Sequence, residues 1–266
     1  MIAEGYFLKY KGCFWAVKGC RHPEGFAVAV PRKCGGIKVK RLTDALALVR
    51  ARFPDLLRHD EVIGYPVPMV PLKEAEVLDP FEAEVKDPTA RKFLDFFPGE
   101  VGVTGSLLYD EEHNDMDFLS FDSSHYTVLK RLREEGVTSP LEEVNIKEVE
   151  GLTEDCFRRL KARRVLEGVF EGEPYTFKIV QCVEEGRVVK EREFNGRVTI
   201  KRAVKPYSLP VIYEVGGDLS GFAKSYRIRF TELSEGLTLL VSGRVQVREK
   251  DFVELSLDLA DRVECS

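Results

Sequence analysis

From Val198 to Val247 the chain repeats with a period of two. Val198, Ile200 and Val204, then Tyr226, Ile228 and Phe230, then Leu237, Leu239, Val241, Val245 and Val247 take alternate positions. Successive side chains of a strand point to opposite faces, so strands that bury one face and wet the other satisfy this alternation. A helix of 3.6 residues per turn would scatter the same residues around its axis. The intervening positions carry Lys201, Arg227, Arg229, Arg244 and Arg248, which predicts a sheet or small barrel with one cationic face. Residues 197–248 hold nine Lys and Arg against four acids, a local +5 in a chain whose net charge is −5. The overall balance argues against coating nucleic acid with the whole surface, while the local excess suits one anionic partner. RNA contacted through Arg227, Arg229, Arg244 and Arg248 is the expected case.

Ahead of this β-rich segment the patterning changes twice. Residues 6–10, 13–17 and 25–30 read as strands, and a helix follows with Thr43 and Asp44 at its start and Leu46, Val49 and Phe53 on one face. Gly64-Tyr65-Pro66-Val67-Pro68-Met69-Val70-Pro71 cannot be helical, because proline lacks a donor and pushes its predecessor extended; it reads as a strap. Helices are expected over 85–97, from Ser123 or Ser124 to Glu135, and from Thr153 to a stop at Gly168. Strands are expected over 101–108 and 115–121, and in a hairpin turning at Glu171-Gly172-Glu173. These breaks divide the chain into an α+β unit over 1–78, a mixed central domain over 79–190 and a β-rich, barrel-like module over 191–266. No apolar run approaches the ~18 residues of a membrane span, and the first five residues lack a basic start with an apolar stretch. A cytoplasmic protein with no membrane contact is expected, its oligomeric state left open. Abundant Glu, Lys and Arg beside two Gln and three Asn suit a heat-adapted host. The six cysteines are then expected as free or buried thiols, an intracellular disulfide remaining open in such a host. Cys13, Cys20, His22 and Cys34 crowd together, but their spacing forms no C-x2-C zinc hairpin.

The stretch with chemical content is Gly102-Val103-Thr104-Gly105-Ser106-Leu107-Leu108, followed by Asp115-Met116-Asp117-Phe118-Leu119. Period two puts Asp115 and Asp117 on one face of a strand, with Met116 and Phe118 on the other. Two adjacent carboxylates repel unless a cation lies between them, and carboxylates completed by substrate phosphates are what Mg²⁺ prefers, with Mn²⁺ able to substitute. Gly105 permits close backbone approach to a phosphate, and Ser106 adds a hydroxyl and an N–H. A phosphate cradle beside a carboxylate pair is a layout for metal-assisted nucleotidyl transfer. Arg159 and Arg163, one turn apart in a basic helix, are a second candidate for gripping a triphosphate or an acceptor backbone. His113 and Asn114 stand in the intervening turn, in reach of a bound nucleotide.

The order helix, strand ending in Gly-Ser, short gap and Asp-hydrophobic-Asp resembles the nucleotidyltransferase superfamily of DNA polymerase β and the CCA-adding enzymes. With Lys18-Gly19-Cys20-Arg21-His22-Pro23 upstream, the chain looks more closely similar to an archaeal group of predicted nucleotidyltransferases. The superfamily resemblance covers about residues 85–182. It implies an α+β core, an NTP substrate, Mg²⁺ at Asp115 and Asp117, and transfer of a nucleoside monophosphate to a hydroxyl acceptor. The superfamily also places a third carboxylate on a later strand, where Thr176-Phe177-Lys178-Ile179-Val180 offers Lys178 instead. That lysine stands in for part of a metal's charge, or marks a site that binds nucleotide or RNA without turnover; Glu171 or Glu173 is the alternative third carboxylate. The C-terminal pattern further resembles an oligonucleotide-binding barrel, without an aromatic row on its cationic face to stack bases.

Overall fold

Lys11-Gly12, both at positive φ (45° and 71°), turns the first hairpin, the geometry that matches the twist of paired strands. The hairpin joins β1 (Phe7–Tyr10) to β2 (Cys13–Val17) in a computed structural model that describes residues 2–110, 113–144 and 149–266. β3 (Phe26–Cys34) pairs with β2, and β4 (Ile37–Lys38) folds back on β3. After α1 (Leu42–Arg52) come β5 (Leu57–His59), β6 (Pro66–Pro71) and β7 (Glu76–Leu78), giving the order β5-β6-β3-β2-β1-β7. The expected proline strap is therefore a strand inside the sheet, between β3 and β5. Pro66 and Pro68 are two residues apart, so the N–H groups they lack fall on one edge of β6. Thr43 and Asp44 do not cap α1 either. Its first amides, those of Leu42 and Thr43, donate to the carboxylate of Glu150, 3.3 and 3.1 Å away.

The middle of the chain begins with α2 (Pro88–Leu94), whose Asp87 cap accepts from the Ala90 N–H at 2.6 Å. It continues through β8 (Gly102–Thr104), α3 (Ser106–Tyr109), β9 (Met116–Ser120), α4 (His125–Glu134), α5 (Glu154–Arg163), β10 (Glu167–Phe170) and β11 (Glu173–Ile179). The sheet order is β10-β11-β9-β8, with β11 parallel to β9 and β8 antiparallel to it. The strand expected over 101–108 stops at Thr104, because Gly105 turns the chain into α3. The helix expected to stop at Gly168 ends at Arg163; Gly168 lies inside β10, where a Cβ would clash with Arg133 and the Tyr175 hydroxyl.

The last third is strand, as its alternation requires: β12 (Val188–Lys205), β13 (Val211–Gly217), β14 (Gly221–Ser225), β15 (Thr238–Arg248), β16 (Phe252–Ser256) and β17 (Arg262–Cys265). The pairing runs β12-β13-β14-β16-β15 and returns to β12, so five strands close a barrel, with β14 and β16 its parallel pair. β12 bends from one neighbour to the other, pairing with β15 over Val188–Thr199 and with β13 over Val198–Lys205. The β-rich module is thus a small five-stranded barrel.

The fold is thus mixed α+β, with three sheets and few helices. The larger apolar core is shared by the first sheet and the barrel: Leu8 and Trp15 bury with Val198, Tyr213 and Leu255. The middle sheet has its own core around Phe93, Phe97, Phe118, Tyr175 and Phe177. All six cysteines are paired, as Cys13–Cys34, Cys20–Cys182 and Cys156–Cys265. The expectation of free thiols is overturned: Cys13 and Cys34 stand opposite in the β2–β3 ladder, Cys156 of α5 meets Cys265 of β17, and Cys20 meets Cys182 across a separation of 162 residues. The same pairing takes Cys13, Cys20 and Cys34 out of any zinc set. No helix among the described residues is long and apolar enough to cross a membrane.

Two outcomes are expected from these joints. Cys156→Ser with Cys265→Ser opens a closure of 109 residues and should cost about 2–5 kcal/mol, read as a lower urea midpoint. Burial alone would raise the Glu150 carboxyl, but Arg227 and the amides of Thr43 and Leu42 hold it below its ordinary range. A depressed acid contributes stability above its unfolded pKa and loses it as pH falls through the folded one. Glu150→Gln should therefore flatten the decline in melting temperature below about pH 4.5, the ordinary carboxylate range.

Candidate active site

Gly105 ends β8 at φ 60°, ψ −145°, a region essentially closed to residues with a side chain. The reason lies across the strand pair. Thr104 stands opposite Asp117 in register, and a Cβ on Gly105 would lie 2.0 Å from Asp117 Oδ2. The carboxylate fills the space that any other residue would need. Asp117 is half-buried on β9, alternating with the fully buried Met116 and Phe118. Asp115, one step before the strand, has the same parity and is exposed. Ser106 opens α3, whose first bond is made by the Leu108 N–H to Gly105 O at 3.2 Å. The amides of Ser106 and Leu107 are therefore not used by the helix itself. The strand, the glycine turn and Asp117 therefore meet at the end of the β8–β9 pair.

Lys178 also reaches this site. β11 runs parallel to β9 with Thr176 opposite Asp117, so Lys178 shares the Asp117 face, and its Nζ lies 3.8 Å from Asp117 Oδ1. Glu173 has the parity of buried Tyr175 and Phe177 and faces away from Asp117. Glu171 pairs with Lys92 at 2.8 Å on the hairpin turn. Neither glutamate supplies a third carboxylate on the Asp117 face. Glu173 instead approaches Asp87 and His113, the three offering ligand atoms within 4.8 Å of one another. His113 Nε2 lies 3.2 Å from Asp87 Oδ2.

The first sheet closes over the same place. Thr104 Oγ1 donates to Gly5 O, and a Cβ on Gly5 would strike the Leu119 side chain at 2.8 Å. The Tyr109 ring packs against Phe7 and Phe14, with centroids 4.9 and 4.7 Å apart. Asp110 takes Lys33 at 2.8 Å and Lys38 at 3.5 Å. Buried Glu4 accepts from Lys18 Nζ and from the Gly19 N–H, both at 2.8 Å. Burial, with the Asp117 and Asp110 carboxylates, pushes the Tyr109 hydroxyl up to about 12, so it stays protonated beside the site. Lys18, Arg32 and Tyr109 escaped the sequence reading. Only Lys18 carried a signal, through the Lys18–Pro23 stretch, whereas Arg32 sits in an ordinary strand.

The other expected contacts are not assembled. Arg159 and Arg163 are exposed on α5, which packs against β17 and the 228–230 turn, and Arg159 pairs with Asp155 at 3.6 Å. Arg227, Arg229, Arg244 and Arg248 share no exposed face. The strand expected at 226–230 is a turn, because Asp258 takes Ser225 Oγ and the Tyr226 N–H, and Ser225 Oγ takes the Arg227 N–H. Arg227 pairs with Glu150 and Asp258 at 3.4 and 3.7 Å, and Arg229 donates to Glu150 O at 2.6 Å. Arg248 is 5% exposed, bonded to Glu254, Val62 O and Gly186 O. Arg244 alone of the four is well exposed, paired with Glu191.

Gly105→Ala should displace the Asp117 carboxylate and strain the turn. A loss of about 1–3 kcal/mol in chemical unfolding is expected, with the middle sheet retained by circular dichroism. No family model matches the chain, and comparison with curated proteins and with solved structures gives no significant match, so the functional reading rests on this geometry.

Proposed function

We propose that the chain is a nucleotidyltransferase using Mg²⁺ or Mn²⁺, which moves a nucleoside monophosphate from an NTP to a hydroxyl acceptor. The observation that carries the reading is the nesting of Asp117 against Gly105, with Ser106 and Asp115 beside it. The donor set is all oxygen, two carboxylates on one face, which fits a hard cation that completes its shell with substrate phosphates. Asp115 and Asp117 would hold that cation, which when bound polarises the α-phosphate and neutralises charge on the leaving pyrophosphate. The Ser106 hydroxyl and the first amides of α3 would donate hydrogen bonds to the phosphate oxygens. Lys178, on the Asp117 face, turns to the leaving group once the carboxylate is engaged elsewhere. The acceptor hydroxyl attacks the α-phosphorus, its oxygen forming the new ester as its proton passes to water and the bond to pyrophosphate breaks. The middle sheet, with helices flanking mixed strands, is the kind of core the nucleotidyltransferase resemblance calls for. The closed barrel favours a nucleic acid, RNA first, among hydroxyl acceptors, because such barrels commonly bind oligonucleotides.

One observation favours a second reading, a nucleotide- or RNA-binding protein without turnover: Lys178 already neutralises Asp117 where a third carboxylate is expected. Asp117→Asn decides between them. Under the first reading it removes Mg²⁺-dependent transfer from labelled NTP by about 10³-fold, several kcal/mol of charge stabilisation, while the melting temperature holds. Nucleotide binding that needs no Mg²⁺, with no pyrophosphate released by the unaltered chain, would establish the second.

A further inference from the structure

A histidine and two carboxylates from three separate elements converge at one end of the middle sheet. Asp87 immediately precedes α2, Glu173 is the first residue of β11, and His113 lies on the segment between α3 and β9. Each offers one ligand atom, and the three atoms lie within 4.8 Å of one another. All three side chains are half-buried. The elements that carry the two acids are fixed to each other. Phe93 of α2 packs on Phe170 and Tyr175 with centroids 5.0 and 4.8 Å apart, and Lys92 pairs with Glu171 at 2.8 Å. Glu173 has the parity of Tyr175, so it stands on the α2 side of β11, away from Asp117.

Outer hydrogen bonds hold both carboxylates in place. Asp87 Oδ1 accepts from the Ala90 N–H at 2.6 Å, while Oδ2 lies 3.2 Å from His113 Nε2. Glu173 Oε1 accepts from the Thr89 hydroxyl at 3.1 Å. Bonds of this kind orient the ligating carboxylates of metal sites. Two acids this close repel one another unless positive charge lies between them. The ion pairs of the described residues bring no Lys or Arg to Asp87 or Glu173. One imidazole N–H reaches one of the two carboxylates, whereas a dication among the three reaches both acids and the nitrogen. Ligands held at about 2.0–2.1 Å around a tetrahedral Zn²⁺ stand about 3.3 Å apart. The His113–Asp87 separation of 3.2 Å matches such an edge, and a rotation of the half-buried Glu173 side chain closes the set.

We infer that Asp87, His113 and Glu173 form a binding site for a divalent transition-metal ion, Zn²⁺ before others, with water completing its shell. The imidazole nitrogen sets this ligand set apart from the all-oxygen shells that Mg²⁺ and Ca²⁺ take. Thiolates do not compete for the ion, since all six cysteines are in disulfides. The ion ties the start of α2 and the start of β11 to the chain entering β9, two residues ahead of Asp115. It is distinct from the cation proposed at Asp115 and Asp117 and does not depend on nucleotidyl transfer.

Calorimetry with ZnCl₂ and MgCl₂ tests this on the full, oxidised chain carrying Asp115→Asn and Asp117→Asn, which takes the other carboxylate pair out of the count. This parent should bind one equivalent of Zn²⁺, at least about tenfold tighter than Mg²⁺. Adding His113→Gln, Asp87→Asn or Glu173→Gln should weaken Zn²⁺ about tenfold or more in each case. Asp87→Asn keeps an oxygen for the Ala90 N–H and Glu173→Gln keeps one for the Thr89 hydroxyl, so the metal-free melting temperature should hold. His59→Gln, at the exposed histidine of β5, should change nothing. Saturating Zn²⁺ should raise the melting temperature of the parent and leave that of the triple variant where it was. A parent that binds no Zn²⁺, or binds it no more tightly than Mg²⁺, overturns the site. So does Zn²⁺ affinity unchanged in Asp87→Asn and Glu173→Gln, since a loss confined to His113→Gln marks a lone surface histidine. None of these outcomes bears on nucleotidyl transfer, because the parent lacks Asp115 and Asp117.

Discussion

The approach of Gly5 to β9 is the contact on which the arrangement around the candidate site depends. Its missing side chain lets the backbone lie on Leu119, and its carbonyl receives the Thr104 hydroxyl. From there β1 and β2 carry Phe7 and Phe14 onto Tyr109, and the end of β2 brings Lys18 to Glu4. An alanine at position 5 would have to displace Leu119, which shares the Asp117 face of β9, and φ of 100° at that residue disfavours any side chain. The site is therefore not a property of the middle sheet alone. Its floor is β8 and β9, and one wall belongs to a sheet built from the first 78 residues.

How far the sequence discloses this follows from the range of each signal. Period-two alternation is local, so the barrel strands, the first hairpin and β9 could be read from it. The Gly105-Ser106 turn is likewise local, and the β8–β9 register sets it against Asp117, whereas Asp115 falls one residue before the strand. Arg227 and Arg229 show where alternation misleads. Tyr226, Ile228 and Phe230 have strand parity, but Asp258, more than thirty residues on, captures Ser225 and the next amide and turns the chain. Arg248 was expected outside because it alternates with apolar residues. It is inside because the carbonyls of Val62 and Gly186 and the carboxylate of Glu254 satisfy its guanidinium there. Pairings such as Glu150 with α1, or Cys20 with Cys182, leave no periodic trace and are legible only once the sheets are assembled.

The shared core explains why the barrel reads as a separate module yet is not packed as one. Arg248 and Gln246 of β15 donate to Val62 O and Ile63 O in the first sheet's β5–β6 connection. Val188, at the start of β12, donates to Glu61 O. These bonds satisfy polar groups at the joint, and Trp15 and Tyr213 belong to the same apolar cluster. Whatever the barrel holds would be fixed in position relative to the first sheet, and through Gly5 relative to Asp117.

The three disulfides overlap along the chain: Cys13–Cys34 overlaps Cys20–Cys182, which overlaps Cys156–Cys265. Every peptide bond between Cys13 and Cys265 is therefore spanned by at least one bridge. A single backbone break anywhere in that interval, including the stretch between α4 and α5 that carries Glu150, leaves one covalent molecule. The two ends of the break stay tethered to the sheets they came from, and rejoining their partners is an intramolecular event with a high effective concentration. Between Cys13 and Cys265 the chain has, in effect, the connectivity of a mesh, and its integrity there does not rest on any single link of the backbone.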